Sequence, residues 1–136
     1  MSNVAYKSTL VGRVSPDDAH IWWTGLRQLQ EASQEQARVF FLGATQEVLV
    51  AWELSDGLEQ TVALSTTDVL RYALMIGATG LALAHNHPSG DPQPSRADIA
   101  LTRQLAQGCR ALGLKMVDHV ILTERALHSM RLAGQI

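Results

Sequence analysis

Residues 88–94 constrain the fold of this chain more than any other stretch of its sequence. The segment reads PSGDPQP, and because proline fixes φ and lacks a backbone donor, a segment so rich in proline must be a loop. Before it, the apolar run at residues 81–84 predicts a strand that leads into His85-Asn86-His87. After it, Ser95 is predicted to begin a helix that extends to about Leu112. A strand and a helix therefore meet at a short, stiff connection.

The other predicted elements place this strand, loop and helix in an α/β fold. Ser15 and Pro16 suit the start of a helix that is expected to end near residue 32. Apolar or alternating runs predict strands at residues 37–42, 48–54, 59–64, 115–123 and 127–132, and a cap at Ser65 predicts a helix at residues 66–76. We therefore expect one mixed β-sheet flanked by helices, and the 136 residues fit a single domain.

Charge and cysteine content exclude several classes of protein. The formal net charge is −2, which does not support a broad basic surface for DNA. The one cysteine, Cys109, rules out an internal disulfide framework and a Cys-rich zinc knuckle, and it fits a reducing compartment. The longest nearly apolar run, at residues 73–84, is shorter than the roughly 20 residues that a membrane helix needs. We expect a cytoplasmic protein that does not associate with membranes.

Two histidines at the end of a predicted strand are candidate metal ligands. In extended backbone, His85 and His87 point to the same face, so both imidazoles can approach one ion. Zinc takes its ligands in a tetrahedron, and a catalytic zinc keeps one position for water. Two histidines therefore require a third ligand from the protein.

Asp98 is the best candidate for this third ligand. At about 100° per residue, Asp98 lies on the same helix face as Leu101, Leu105 and Cys109. A buried carboxylate costs several kcal/mol unless it is paired or binds a cation. The residues alone leave two interpretations open, a metal site or a capping box from Ser95 to Asp98 beside two unrelated histidines.

The same residues resemble a known motif. His85-x-His87-Pro88, six residues, then Ser95-x-x-Asp98 looks like the JAMM metalloprotease motif of MPN-type domains. The longer string HNHPSGDPQPSRADI resembles the RadC family specifically. The string LGLKMVDHVIL is similar to the strand that follows the family's motif helix, and the likeness covers a motif core at about residues 33–132.

The resemblance implies a fold, a cofactor and a set of site residues. The fold would be the MPN αβ sandwich, which is similar to that of cytidine deaminases. His85, His87 and Asp98 would bind one zinc ion per chain, and Ser95 would help to stabilise a tetrahedral oxyanion. The family pattern also requires an upstream glutamate as general acid/base, and aligning ARVFFLG with the family's first strand places it at Glu35. The alternative for this residue is an ordinary solvated acid at a helix–strand junction.

These features predict a zinc-dependent hydrolase of the JAMM type that acts on peptide or isopeptide bonds. The alternative is a non-catalytic zinc-containing accessory module or a DNA-associated factor in DNA repair. An open coordination position separates the two, because structural zinc normally has four protein ligands and only three are identified here. Asp118 and His119 bear on this point, since strand alternation allows at most one of them to face the metal. The other interpretation of these two residues is a satisfied polar pair.

The expected partners follow from the resemblance and from the sheet. We expect a protein or peptide substrate, and exposed edge strands could pair two copies in a homodimer. RadC proteins commonly carry an N-terminal helix-hairpin-helix segment that would contact DNA, whereas the first thirty residues here are expected to form one helix. DNA association is therefore expected from the resemblance only, without support from the net charge.

Overall fold

The structure, a computed structural model, describes residues 7–10, 20–54 and 65–136. Its strands are β1 (Lys7–Leu10), β2 (Ala37–Leu42), β3 (Val48–Leu54), β4 (Gly80–Asn86), β5 (Lys115–Leu122) and β6 (Leu127–Ser129). Its helices are α1 (His20–Glu31), α2 (Thr66–Met75) and α3 (Arg96–Ala111). The strands form one sheet in the order β1-β3-β2-β4-β5-β6. Only β4 and β5 are parallel among these pairs, which confirms the predicted mixed sheet.

Alternating apolar side chains fill both faces of the central strands. In β2, Val39 and Phe41 pack in a cluster with residues of α2 and α3, whereas Phe40 and Leu42 pack in a second cluster with Leu29 of α1. The strand β4 repeats this division, with Leu81 and Leu83 in the first cluster and Ala82 and Ala84 in the second. Because side chains alternate along a strand, a continuous apolar run serves two cores at once. The sheet is therefore sandwiched between helices, as expected.

The loop at residues 88–94 and the helix α3 bring two strand ends together. Ser95 caps α3, and its hydroxyl oxygen accepts a hydrogen bond from the backbone N–H of Asp98. After the helix, Gly113 adopts φ +73°, a left-handed conformation that glycine reaches without strain and that directs the chain into β5. Since β4 and β5 are parallel, their C-terminal ends lie at one edge, where the N–H of His87 donates to the carbonyl of Leu122.

An irregularity in β5 changes which of its side chains face α3. Leu81 pairs with Met116, but the next residue of β4 pairs with Asp118, so Val117 is an extra residue in β5. Such a bulge shifts the alternation of a strand by one position. As a result, Met116 lies in the cluster with α2 and α3, and His119, three residues later, also faces α3.

Two sequence predictions lie outside the described residues, one strand was not predicted, and one predicted strand is too long. The predicted helix start at residues 15–19 and the predicted strand at residues 59–64 are outside; the described part of the first helix ends at Glu31. The strand β1 was not predicted, because KSTL has little apolar alternation; its backbone pairs with the edge of β3. The last strand ends at Ser129 and does not reach residue 132, because the N–H of Ala133 donates back to the Ser129 carbonyl and the chain turns.

The helices also bear on membrane association. In the parts of the chain that the structure describes, no helix has the length and apolar character needed to cross a membrane.

Candidate metal centre

The alternation of β4 distributes the sequence His85-Asn86-His87 between the two sides of the sheet. His85 follows Leu81 and Leu83 on the face covered by α3, and it is completely buried. His87, two residues later, points the same way, and its side chain is 12% exposed. The structure therefore brings both predicted histidines to the start of α3.

Three donor atoms converge at this point. The Nε2 atoms of His85 and His87 are 2.9 Å apart. The Oδ2 atom of Asp98 lies 3.3 Å from the first and 3.4 Å from the second. Zinc bonds of about 2.0–2.2 Å in a tetrahedron would place ligand atoms about 3.3–3.6 Å apart. Two of the three separations match these dimensions and the third is shorter, so the three residues could hold a tetrahedral metal ion.

Asp98 combines the two roles that its sequence position suggested. The structure contains a full capping box, in which Oδ2 of Asp98 accepts from the backbone N–H of Ser95 at 2.9 Å. Asp98 is nevertheless 1% exposed and faces both histidines. Burial alone would raise the pKa of Asp98, but its close contacts with the rings of His85 and His87 outweigh burial and hold this pKa well below its ordinary value. Asp98 is therefore an ionised, buried carboxylate.

A backbone carbonyl fixes the orientation of His87. Its Nδ1 lies 2.9 Å from the carbonyl oxygen of Asp91 in the proline-rich loop. A carbonyl only accepts, so Nδ1 carries the hydrogen and, in the neutral ring, Nε2 carries the lone pair. The hydrogen bond to Asp98 raises the pKa of His87 to about 9 although burial lowers it. The site thus attracts a cation, and a metal ion can take the place of this proton.

Glu35 lies beside the two histidines. One oxygen of its carboxylate and one ring nitrogen from each histidine all lie within 4.8 Å of one another, which is a second donor set able to hold a metal ion. Both sets share His85 and His87. The set with Asp98 is the tighter one, since none of its separations exceeds 3.4 Å. Glu35 is therefore placed either to bind the ion or to act on a molecule next to it.

Asn86 ties the loop that carries Glu35 to the end of β4. Its Oδ1 accepts from the backbone N–H of Gln36 at 2.6 Å. Its Nδ2 donates to the carbonyls of Ala32 and Gln34, at 3.2 and 3.0 Å. Because Asn86 lies between the two histidines, it faces the opposite side of the strand and leaves them free to face α3. The sequence analysis did not single out this residue.

His119 lies directly behind His85. Its Nε2 is 2.7 Å from Nδ1 of His85, and its Nδ1 is 2.7 Å from the hydroxyl of Thr102 in α3. Desolvation, together with repulsion from His85, lowers the pKa of His119 to about 3. Asp118 instead accepts from the backbone N–H groups of His119 and Arg131. At most one of the pair was expected to face the site, and the bulge at Val117 makes it His119.

An open cleft of about 520 Å³ lies beside the donor cluster. His87 and Pro88 form part of its wall, and Glu31 from α1 and Glu124 after β5 form another part. A molecule in this cleft would reach His87 directly.

Ser95 is half-buried at the start of α3. Its hydroxyl oxygen accepts a hydrogen bond from the backbone N–H of Asp98, so the hydroxyl hydrogen remains available for donation.

The fold and the donor cluster together define an α/β sandwich of the JAB/MPN type. A family model described as the RadC-like JAB domain matches residues 15–135. A UPF0758 protein of Ruegeria pomeroyi is 38% identical over 102 residues, which cover 75% of this chain and 46% of the relative. A UPF0758 protein of Acinetobacter baumannii is 42% identical over 96 residues, or 71% of this chain and 41% of the relative.

A third relative covers the whole chain. This UPF0758 protein of Bordetella avium is 33% identical over 139 residues, which cover 100% of this chain and 61% of the relative. The chain spans about half the length of the curated relatives that it matches. The chain belongs to the family of RadC-like JAB domains, as the resemblance of its motif predicted.

Proposed function

We propose that this domain is a zinc-dependent hydrolase of the JAMM type that acts on peptide or isopeptide bonds. The observation that carries the proposal is the convergence of the Nε2 atoms of His85 and His87 with Oδ2 of Asp98, where His87 also forms part of the wall of an open cleft. Membership of the RadC-like JAB family supports the same chemistry. One zinc ion per chain is part of the proposal.

Each site residue has a distinct role in this proposal. His85, His87 and Asp98 hold the zinc ion, which when bound supplies a Lewis acid and lowers the pKa of a water molecule to about 7. Glu35 accepts a proton from the attacking water and delivers it to the leaving amine. Ser95 donates its hydroxyl hydrogen to the oxyanion that develops on the substrate.

The surroundings of His119 favour hydrolysis over a structural zinc site. A structural site would need a fourth protein ligand, which the sequence left open to His119 or another side chain. Both of its ring nitrogens are engaged elsewhere, one with His85 Nδ1 and the other with Thr102. Glu35 has a carboxylate oxygen within 4.8 Å of a ring nitrogen of each histidine, a position that also suits proton transfer.

Metal analysis of purified variants tests the ligand set. Wild-type protein is expected to hold about one zinc per chain, and His87→Ala and Asp98→Ala are expected to lose it. His128→Ala serves as the matched control, because His128 bonds Gln135 at the far end of the chain and should retain zinc. Full zinc content in both ligand variants would overturn the proposed site.

Activity assays test the role of Glu35 separately. Glu35→Gln is expected to keep its zinc and to lose about 10²–10⁴-fold in the hydrolysis of fluorogenic peptides and lysine-linked isopeptides. Loss of zinc in this variant would instead make Glu35 a ligand. Zinc-loaded wild-type protein that cleaves no member of such a panel would favour the accessory module.

The remaining expectations stay predictions. A protein or peptide substrate agrees with the open cleft at His87. A reducing, cytoplasmic compartment agrees with the buried Cys109, whose burial raises the pKa of its thiol to about 11. DNA association rests on the family resemblance, and a homodimer rests on the edges of the sheet.

A further inference from the structure

A continuous row of hydrogen bonds leads from the donor cluster into the core of the protein. Behind His85, Nδ1 contacts Nε2 of His119 at 2.7 Å. On the other side of that ring, Nδ1 contacts the hydroxyl of Thr102 at 2.7 Å. The Thr102 hydroxyl in turn lies 2.7 Å from the backbone carbonyl of Asp98. We call these four groups the His85 chain.

The end of the His85 chain determines the direction of every hydrogen bond in it. A hydrogen must lie between the two oxygens at 2.7 Å, and a carbonyl cannot donate, so Thr102 donates to Asp98. The sulfur of Met130, at 3.6 Å, is a weaker alternative acceptor. With its hydrogen committed, the Thr102 oxygen accepts from Nδ1 of His119.

The hydrogen on Nδ1 of His119 sets the state of the next ring. His119 is completely buried, and its ring contacts are a hydroxyl and another imidazole, so it is held as a neutral ring. A neutral ring with hydrogen on Nδ1 carries a lone pair on Nε2. That nitrogen accepts from Nδ1 of His85, so a neutral His85 ring has its lone pair on Nε2, toward His87 and Asp98.

We propose that Thr102 and His119 are positioning residues that hold His85 in the tautomer required of a metal ligand. His87 reaches the same tautomer through one carbonyl, that of Asp91. His85 reaches it through two buried side chains that end on the backbone of Asp98, the third proposed ligand. The inference rests on the proposed metal site, since the tautomer matters only if Nε2 of His85 binds an ion.

The hydrogen bond from His85 to the neutral ring of His119 has a chemical consequence. Histidine ligands usually donate their other N–H to a carboxylate, a backbone carbonyl or water. An imidazole acceptor adds no negative charge behind the ligand. The charge of the proposed site therefore comes from Asp98 alone within the donor triangle, and His85 contributes orientation.

Thr102→Val is the sharpest test, because valine keeps the shape of threonine and removes its hydroxyl. His119 then loses its acceptor and can move its hydrogen to Nε2, which would force the hydrogen of His85 onto its own Nε2. Zinc affinity, measured by competition with a chromophoric chelator, is expected to fall about 10–100-fold. Thr102→Ser is the matched control and is expected to restore wild-type affinity.

Nitrogen-15 NMR of the histidine rings in the metal-free full chain reads the tautomers directly. His85 and His119 are expected to carry hydrogen on Nδ1 in wild type and in Thr102→Ser, and His85 is expected to shift toward Nε2–H in Thr102→Val. Hydrogen on Nε2 of His85 in the wild type would overturn the inference, even if a variant failed to fold. Wild-type tautomers as expected, in a protein that binds no zinc, would overturn the proposed function and leave the tautomer assignment standing.

Discussion

His87 links metal binding to pH. Its pKa is raised to about 9 by the hydrogen bond to Asp98, so at neutral pH the metal-free ring holds a proton that an incoming ion must displace. The competition is present below about pH 9 and disappears as the pH rises through that value. Zinc affinity is therefore expected to fall about tenfold from pH 8 to pH 7. Chelator competition at a series of pH values measures this slope.

Asp98 should not contribute to the dependence of zinc affinity on pH. Its pKa is depressed, so the carboxylate stays ionised throughout the neutral range. A zinc affinity that is the same at pH 7 and pH 8 would contradict the assigned role of the His87 proton.

For single residues, the sequence predicted the orientation of those side chains that follow the regular alternation of a strand or the periodicity of a helix. Strand alternation placed His85 and His87 on one face, and the helical wheel turned Asp98 inward. His119 could not be assigned, because the bulge at Val117 breaks the alternation that such an argument uses. Asn86 was missed because its three partners are backbone groups of a loop, which have no pattern in the sequence.

The first turn of α3 depends on its N-cap. The Ser95 hydroxyl accepts from the N–H of Asp98 at 3.0 Å. Ser95→Ala is expected to lower the free energy of unfolding by about 1 kcal/mol. Urea denaturation with a chelator present measures this without a contribution from metal. Ser95→Thr keeps an acceptor and should lose much less, and equal losses in both variants would contradict the capping role.

The connection between α1 and β2 depends on Asn86. Replacing it by alanine removes three partly buried hydrogen bonds to the backbone, which is expected to cost about 3 kcal/mol of unfolding free energy. Asn86→Ala is expected to keep zinc, because both histidines have other supports, and to lose hydrolysis, because Glu35 is no longer held. Zinc content, denaturation and peptide cleavage together measure the effect.

An exposed amide in the adjoining loop provides the control. Gln93→Ala removes a side chain at the surface and should change none of the three measurements. If Asn86→Ala kept full hydrolysis while it lost stability, the tie to Glu35 would have no role in the reaction.

Among the secondary-structure elements, strands with a strong apolar pattern were predicted well, and strands with a weak pattern were not. The strands β2 and β3 match their predicted bounds, because both faces of each are buried. The strand β1 has four residues whose pairing depends on β3. The bounds of β6 depend on hydrogen bonds of the turn after Ser129, which an apolar pattern does not reveal.

Metal binding is expected to stabilise the whole molecule. The proposed ligands come from β4 and from the start of α3, so an ion that binds them stabilises the native packing over the unfolded chain. At a free zinc concentration of 100 times Kd, the gain is about 2.7 kcal/mol. Thermal denaturation with zinc and with a chelator measures this shift. His87→Ala should show no such difference, and a wild-type protein insensitive to zinc would contradict the prediction.

The order of the strands across the sheet could not be predicted from the sequence. Local patterns predict where strands begin and end, but the sheet order β1-β3-β2-β4-β5-β6 depends on long-range pairing. The resemblance of the motif to the RadC family nevertheless implied the correct class of fold.

The single extra residue in β5 determines which side chain lies behind His85, a proposed metal ligand. A regular strand through the same residues from Met116 would turn Asp118 toward α3 and His119 away from it. The carboxylate of Asp118 would then lie behind His85, which would strengthen the electron donation of that ring and make the centre more negative. A shift of one residue in the alternation of β5 would thus change the side chain behind His85 and the properties of that ring as a ligand, although none of the proposed ligands would differ.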